Sequence, residues 1–467
     1  MGFKTIIEPF KIKMVEPIRI TTPEEREIYL KEAGYNLFNL KSDQVIIDFL
    51  TDSGTSAMSD AQWAGIMMGD EAYSGSRSWE RMRDVIHDLT GYPYIFPTHQ
   101  GRAGERIVYG ALGGKGKIFI SNTHFDTTRA NIELTGATAI DIPVPQAADT
   151  SLIYPFKGNM DVARLKELIS KYGEKNIGAV ILTVTNNSSG GQPVSMENTK
   201  EVSEICLQHG LLFILDCCRI AENAYFIRHR EDKYKNNTYK EIASEMFSLA
   251  DGCIMSAKKD AIVNMGGFFA LKDQVFADKC RESLIITEGF VTYGGLSGRD
   301  MEAIAIGLEE VFDPDYLHYR ISSTAYLGNK LHEKGIPVML PIGGHAVYVD
   351  AKRLYPNIPA DNFPGQALAC ELYIKGGIRS CEIGSVMFGH NNEAGKFVPA
   401  AMELVRLAIP RRVYTQSHIE YVLEVFDKIL EDKEDISGYT IIEAPKFLRH
   451  FTTRFDKMVS EAVHINS

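Results

Sequence analysis

Ala179-Val180-Ile181-Leu182-Thr183-Val184-Thr185, then a helical stretch opening near Ser195 and closing at His209-Gly210, then Leu211-Leu212-Phe213-Ile214-Leu215, form the clearest unit of the chain. The two apolar runs are strand-length, the first rich in β-branched residues, and the stretch between them carries a serine where helices start and a glycine where they stop. Strand, helix and strand within this length make one βαβ crossover, which joins parallel strands.

Outward from this unit, short β-rich runs recur at residues 94–96, 117–121, 137–142, 252–256 and 267–271, with helical stretches between most of them. The alternation predicts an α/β fold: a mainly parallel seven-stranded sheet covered by helices on both faces. Ligands of such sheets gather at the carboxyl ends of the strands. After about residue 307 the pattern turns helix-rich, with helices expected over 316–334 and 417–432 and strands over 343–350, 378–382 and 405–409. This reads as a smaller α+β domain packing with an N-terminal arm, in which Pro23 marks a helix start. The expected division is a large domain over 57–310, with 1–56 and 311–467 forming the arm and small domain.

The chain has 467 residues, 45% of them hydrophobic, enough for a full core and long for one compact domain. A formal charge of −11 without a basic stripe argues against nucleic acid or an anionic membrane as main partner and favours a small-molecule substrate. The first ten residues, with Ile6 where a lipid signal after Met1-Gly2 wants Ser or Thr, show no apolar core of signal-peptide length, and no apolar run approaches the roughly 18 residues of a membrane helix, so a soluble protein is expected. Seven cysteines at irregular spacing, Cys217-Cys218 adjacent, predict a reducing compartment without disulfides, with cytoplasm the expected location.

Polar groups collect where the strands end. Thr98-His99-Gln100-Gly101-Arg102 is a strand-to-helix turn whose backbone N–H groups suit a phosphate. Asn186 to Pro193 follows Thr185 at the end of that unit's first strand, and Asp216 follows Leu215 at the end of its second, with Arg219 three residues on. Asp216 alone is also a plain helix cap, but at the edge of an apolar run its carboxylate wants a cation. Ser256-Ala257-Lys258-Lys259-Asp260 lies between two apolar runs. Two lysines there read either as an exposed basic turn or as an imine-forming lysine beside a phosphate-holding one. An aspartate that keeps a pyridinium protonated and a lysine in imine linkage further along are the roles that pyridoxal phosphate requires. Ser256 to Lys259 also matches Ser-x-x-Lys, without the companion motifs of acylating serines. No P-loop, Gly-x-Ser-x-Gly or His-Glu-x-x-His is present.

Over essentially its whole length the chain resembles the β-eliminating lyases of the aspartate-aminotransferase fold (fold-type I). The residues that carry the resemblance are LTDSGT (50–55), GDEAYSGS (69–76), PTHQGR (97–102), GGQPVS (190–195), ENAYFI (222–227), SAKKD (256–260), YGGL (293–296) and FLRHFT (447–452). The resemblance implies pyridoxal phosphate in imine linkage to Lys259, which also removes the Cα proton, with Asp216 on the pyridinium and Phe125 stacked on the ring. It further implies Gln100, Gly101, Arg102, Ser256 and Lys258 on the phosphate, Asn187 and Arg219 on the 3-oxygen, and Arg406 on the substrate α-carboxylate with Thr51 and Ser53. A planar guanidinium meets a carboxylate at two points. Also implied are a homotetramer built from catalytic dimers, with Tyr73 reaching the neighbouring subunit's site, and a potassium or ammonium ion at Gly54, Glu71 and Asn264. The family cleaves tryptophan or tyrosine, and Ile383, Asp126 and His450 match its tryptophan-cleaving branch. The expected reaction is L-tryptophan to indole, pyruvate and ammonia, the alternative L-tyrosine to phenol, pyruvate and ammonia. Tyr73 and Lys259 are both candidates to protonate the leaving carbon.

Overall fold

The computed structural model describes residues 5–392, 394–445 and 448–458. Met1-Gly2 and Phe447, used in the readings above, lie outside the described residues.

The large sheet consists of β1 (Tyr94–Thr98), β2 (Ile118–Ser121), β3 (Thr138–Asp141), β4 (Ile177–Thr183), β5 (Phe213–Asp216), β6 (Gly252–Ser256) and β7 (Gly267–Leu271), in the spatial order β1-β7-β6-β5-β4-β2-β3. β3, β2, β4, β5 and β6 run parallel, whereas β7 is antiparallel to both β1 and β6. The direction of β7 follows from its connection: the turn after β6 is too short for a crossover, so the chain must come straight back. Between β4 and β5 the helix Met196–His209 is capped by the Ser195 hydroxyl, which accepts from the Asn198 N–H, and stops at Gly210 in the left-handed conformation.

Alternate residues of the central strands serve two cores. Val180, Leu182, Phe213 and Leu215 pack on one face, and Ala179, Ile181, Ile214 and Ile254 on the other. Burial on both sides is why these strands read as continuous apolar runs rather than as alternating ones. A third core joins the arm to the C-terminal part, from Leu30 and Phe49 to Phe426 and Phe455. It covers one face of a smaller antiparallel sheet of β8 (Ala346–Asp350), β9 (Cys381–Ile383) and β10 (Leu404–Ala408), ordered β9-β10-β8. The arm is tied in by Ile47–Asp48, which pairs parallel with Ile378–Arg379. The arm helix Pro23–Glu32 is closed by a capping box between Thr22 and Glu25. The helix Pro314–Glu333 spans both parts, with Leu317 in the large core and Leu331 in the small one.

β8 starts at Ala346, later than the sequence pattern suggests. A side chain on Gly343 would meet the Gly191 carbonyl at 2.4 Å, and one on Gly344 the Glu222 carboxylate at 2.7 Å. These glycines serve a close approach to the large domain, not a ladder. Among the described residues no helix is long and apolar enough to cross a membrane, and the seven cysteines are free.

Candidate active site

The ends of β4, β5 and β6, the helix Gly101–Leu112, the arm loop after Leu50 and the small sheet enclose a cavity of about 260 Å³. Its walls carry Thr51, Ser53, Gln100, Gly101, Arg102, Phe125, Asp126, Asn187, Asp216, Arg219, Ser256, Lys258, Lys259, Ile383, Arg406 and His450, so sixteen of the predicted positions meet in one place. Tyr73, Gly54, Glu71 and Asn264 are not among them.

One end of the cavity is an anion hole. Gln100 caps the helix Gly101–Leu112 without a side-chain bond, so no capping side chain occupies the N–H groups of its first turn. Gly101 lies so close to Ser256 that a Cβ would sit 2.6 Å from the serine's own, bringing the helix end and the Ser256 hydroxyl to one spot. Lys258, Lys259 and Arg102 converge there, and among the described residues no carboxylate pairs with any of them. Burial and the two neighbouring cations push the Lys258 ammonium below its usual range, the mark of positive charge without its counterion.

The other end holds the opposite charge. Asp216 is 8% exposed at the tip of β5, where the Cys218 thiol donates to it at 3.0 Å, and among the described residues it has no other side-chain partner and no cation pairs with it. An anion hole facing a buried, unpaired carboxylate across a lysine and the Phe125 ring fits a ligand with a phosphate at one end and a protonated ring nitrogen at the other. Pyridoxal phosphate has that charge pattern.

The substrate side is built from the small sheet. Arg406 on β10 stands opposite Cys381 and Tyr348 in register. Its Nη1 donates to Asn187 Oδ1 at 3.1 Å and its Nη2 to the Leu50 carbonyl at 3.0 Å, while Nε is buried without a partner. Asn187 Oδ1 also accepts from the Tyr348 hydroxyl and His345 Nε2, both at 2.9 Å. Burial and the Arg219 guanidinium hold His345 well below the ordinary imidazole range, so its ring is neutral. Opposite lies the aromatic end, where His450 Nε2 is 3.3 Å from Asp126 Oδ2 and Phe38 meets the His450 ring edge-on. Behind Ile383, Glu382 and Glu403 converge on Gly384, where a Cβ would touch an oxygen of each within 2.6 Å. Burial and the Glu403 carboxylate push Glu382 up to about 8.

Sequence reasoning missed the ionic staple beneath the site. Arg219 does not reach forward alone: Asp52 takes its Nη2 at 2.7 Å and its Nε at 3.0 Å. Fully buried Arg411 binds Asp52 Oδ2 at 3.0 Å, Glu222 at 2.8 Å and Asp260 at 3.0 Å, and Arg320 adds a bond to Glu222 at 2.9 Å. Burial opposes charge on Asp52, but Arg219 and Arg411 overcome it and hold the carboxyl well below its usual range. The staple joins the arm loop, the segment after β5 and the residue next to Lys259. A second missed residue is Glu105, buried on the cavity wall below Asp216.

Tyr73 is 68% exposed and packs on Phe290 and Tyr293. Gly54 and Asn264 do meet, the amide donating to the Gly54 carbonyl at 3.0 Å, whereas Glu71 is exposed and pairs with Arg299 at 2.9 Å.

Fold and site together fit an enzyme that binds pyridoxal phosphate. The β-eliminating lyase family model matches residues 48–424. A tryptophanase of Salinibacter ruber is 55% identical over 460 residues, covering 98% of this chain and 97% of that one. A tyrosine phenol-lyase of Pasteurella multocida is 48% identical over 449 residues, covering 96% and 98%. The fold alone is shared with Leishmania major threonine aldolase, at a TM-score of 0.56 and 14% identity over 82% of this chain and 99% of that one. The chain belongs to the β-eliminating lyase family.

Proposed function

We propose that this protein cleaves L-tryptophan by β-elimination to indole, pyruvate and ammonia. The observation that carries the reading is the aromatic end of the cavity: the Asp126 carboxylate, held at 3.3 Å by His450, opposite the hydrocarbon of Ile383. Indole presents one polar atom, an N–H donor, and Asp126 is an acceptor for it. A phenol would bring its oxygen against Ile383, where an unmatched buried hydroxyl costs about 1–3 kcal/mol.

Ser256, Lys258, Arg102, Gln100 and the Gly101 end of the helix would hold the cofactor's phosphate, Asp216 its ring nitrogen, Phe125 its ring face, and Asn187 with Arg219 its 3-oxygen. Bound there, pyridoxal phosphate supplies the electron sink that makes the substrate Cα–H acidic. Arg406 fixes the α-carboxylate from one side, with Thr51 and Ser53 on the arm loop beside it. Lys259 takes the Cα proton as general base. The leaving carbon, C3 of the indole, needs a proton before the bond breaks, and Lys259 or a Tyr73 from a neighbouring copy delivers it. The exposed Tyr73 is free to reach a neighbouring copy's site in the homotetramer of catalytic dimers that the family resemblance implies, with cytoplasm the expected location. Gly54, Asn264 and a Glu71 released from Arg299 would hold a potassium or ammonium ion.

The test is product release from L-tryptophan, L-tyrosine and S-methylcysteine by wild type, Asp126→Ala and His450→Phe. Tryptophan should have much the highest kcat/KM among the aromatic substrates, and both variants should lose tryptophan cleavage far more than S-methylcysteine cleavage. A preference for tyrosine, or equal losses on every substrate, overturns the reading.

A further inference from the structure

Glu105 stands in the helix Gly101–Leu112, one turn beyond the anion hole, yet its side chain turns to the next helix, Asp126–Glu133. Its Oε2 accepts from the Thr127 hydroxyl at 2.8 Å and the Asn131 amide at 3.2 Å, and its Oε1 from the Thr128 hydroxyl at 2.9 Å. Thr127 and Thr128 directly follow Asp126, and Phe125 caps this helix without a side-chain bond. Arg129 ties the same helix to Asp141 at 2.6 Å, and His124, just before it, binds Asp141 at 2.6 Å as well. Within the near turn Asp126 Oδ1 accepts from the Thr127 N–H at 2.6 Å, and Glu105 is what joins Thr127 and Thr128 to the helix Gly101–Leu112.

We propose that Glu105 is a positioning residue of the leaving-group pocket, fixing through Thr127 and Thr128 the turn that aims Asp126 at the indole N–H. This rests on the tryptophan reading above. An ionised carboxylate accepts from both hydroxyls at once; a protonated one must donate from one oxygen, so a threonine hydroxyl has to turn away. Asp216 at the end of β5, Asp126 on the facing helix and Tyr109 on its own helix surround it, with Arg102 one turn back and His450 beyond Asp126. Burial, then the charges of Asp216 and Asp126, push Glu105 up to about 7 against the pull of the two threonines, so the change of state falls within the working range of pH. On Glu105→Gln the amide keeps one acceptor and a permanent donor, which freezes the group in the state that the protonated acid has.

The experiment measures kcat/KM for tryptophan and for S-methylcysteine, whose leaving group has no N–H, across pH 6–9 in wild type, Glu105→Gln and Glu105→Ala, with cofactor content and thermal melting as controls. In wild type the tryptophan to S-methylcysteine ratio should rise with pH through about 7. Glu105→Gln should lack that step, and Glu105→Ala should lower the ratio about tenfold, the loss of one to two buried hydrogen bonds. The same pH profile in wild type and the Gln variant, or equal losses on both substrates, overturns the proposal; if Glu105→Ala does not fold, the Gln profile decides alone. Pyruvate from S-methylcysteine without indole from tryptophan would fault the substrate reading instead, and the aromatic substrate that is cleaved then takes tryptophan's place in the ratio.

Discussion

Lys258 and Lys259 share one turn, yet the cavity asks different things of them. Lys258 is held below its usual range by burial and by Lys259 and Arg102, and the task proposed for it is one of charge. Lys259 lines the same cavity, and the task proposed for it is one of chemistry. Lys259→Ala should therefore abolish the visible absorbance of the bound cofactor and essentially all turnover, while Lys258→Ala should weaken cofactor binding about 10- to 100-fold, the loss of a charge-assisted bond, and regain turnover at saturating cofactor. Spectra and cofactor titrations of the two variants decide it. Lys259 and Asp216 were legible in the sequence because each is a charged residue at the end of an apolar run, where burial demands a partner. Arg411 and Glu105 were not. Their partners lie in distant segments, as with the 167 positions between Asp52 and Arg219, and nothing next to them in the chain announces the meeting.

Strands and helices of the large sheet could be read from apolar runs and caps because local sequence and tertiary burial agree there. The direction of β7 needed the length of its connection, and the late start of β8 needed the neighbours of Gly343 and Gly344. Another feature hidden from periodicity is the turn after β9, where Glu382 and Glu403 crowd over Gly384. Glu382 binds its proton more tightly in the fold, up to about 8, than the ordinary carboxyl value of 4.5. The sign follows: its contribution to stability is whole below the ordinary value and is lost as pH rises toward about 8. Glu382→Gln removes that dependence. Thermal melts from pH 5 to 9 should show the variant about 2–4 °C more stable than wild type at the alkaline end and no more stable at the acid end. A constant difference across the range would contradict this account of the turn.

At the scale of the molecule, the positions that do not line the cavity are the ones the family resemblance gives to a neighbouring subunit or to the ion. Tyr73 and Glu71 sit on exposed surface, while Gly54 and Asn264 meet under the arm loop, where Gly54 N–H donates to the Lys258 carbonyl at 2.8 Å. A cation there would act on the lysine turn, so activity after exhaustive dialysis should return with potassium and stay low with sodium; equal rates in both salts would remove the ion from the proposal. The staple of Arg411, Asp52, Glu222 and Asp260 binds that loop and turn from below, whereas Asp126, Ile383 and His450 lie outside it: on the helix Asp126–Glu133, the edge of the small sheet and the C-terminal segment. Bond breaking and ring selection are thus inherited on different timbers. On the tryptophan reading, a lineage can exchange the residues that greet the departing ring while the staple beneath the lysine turn stays untouched.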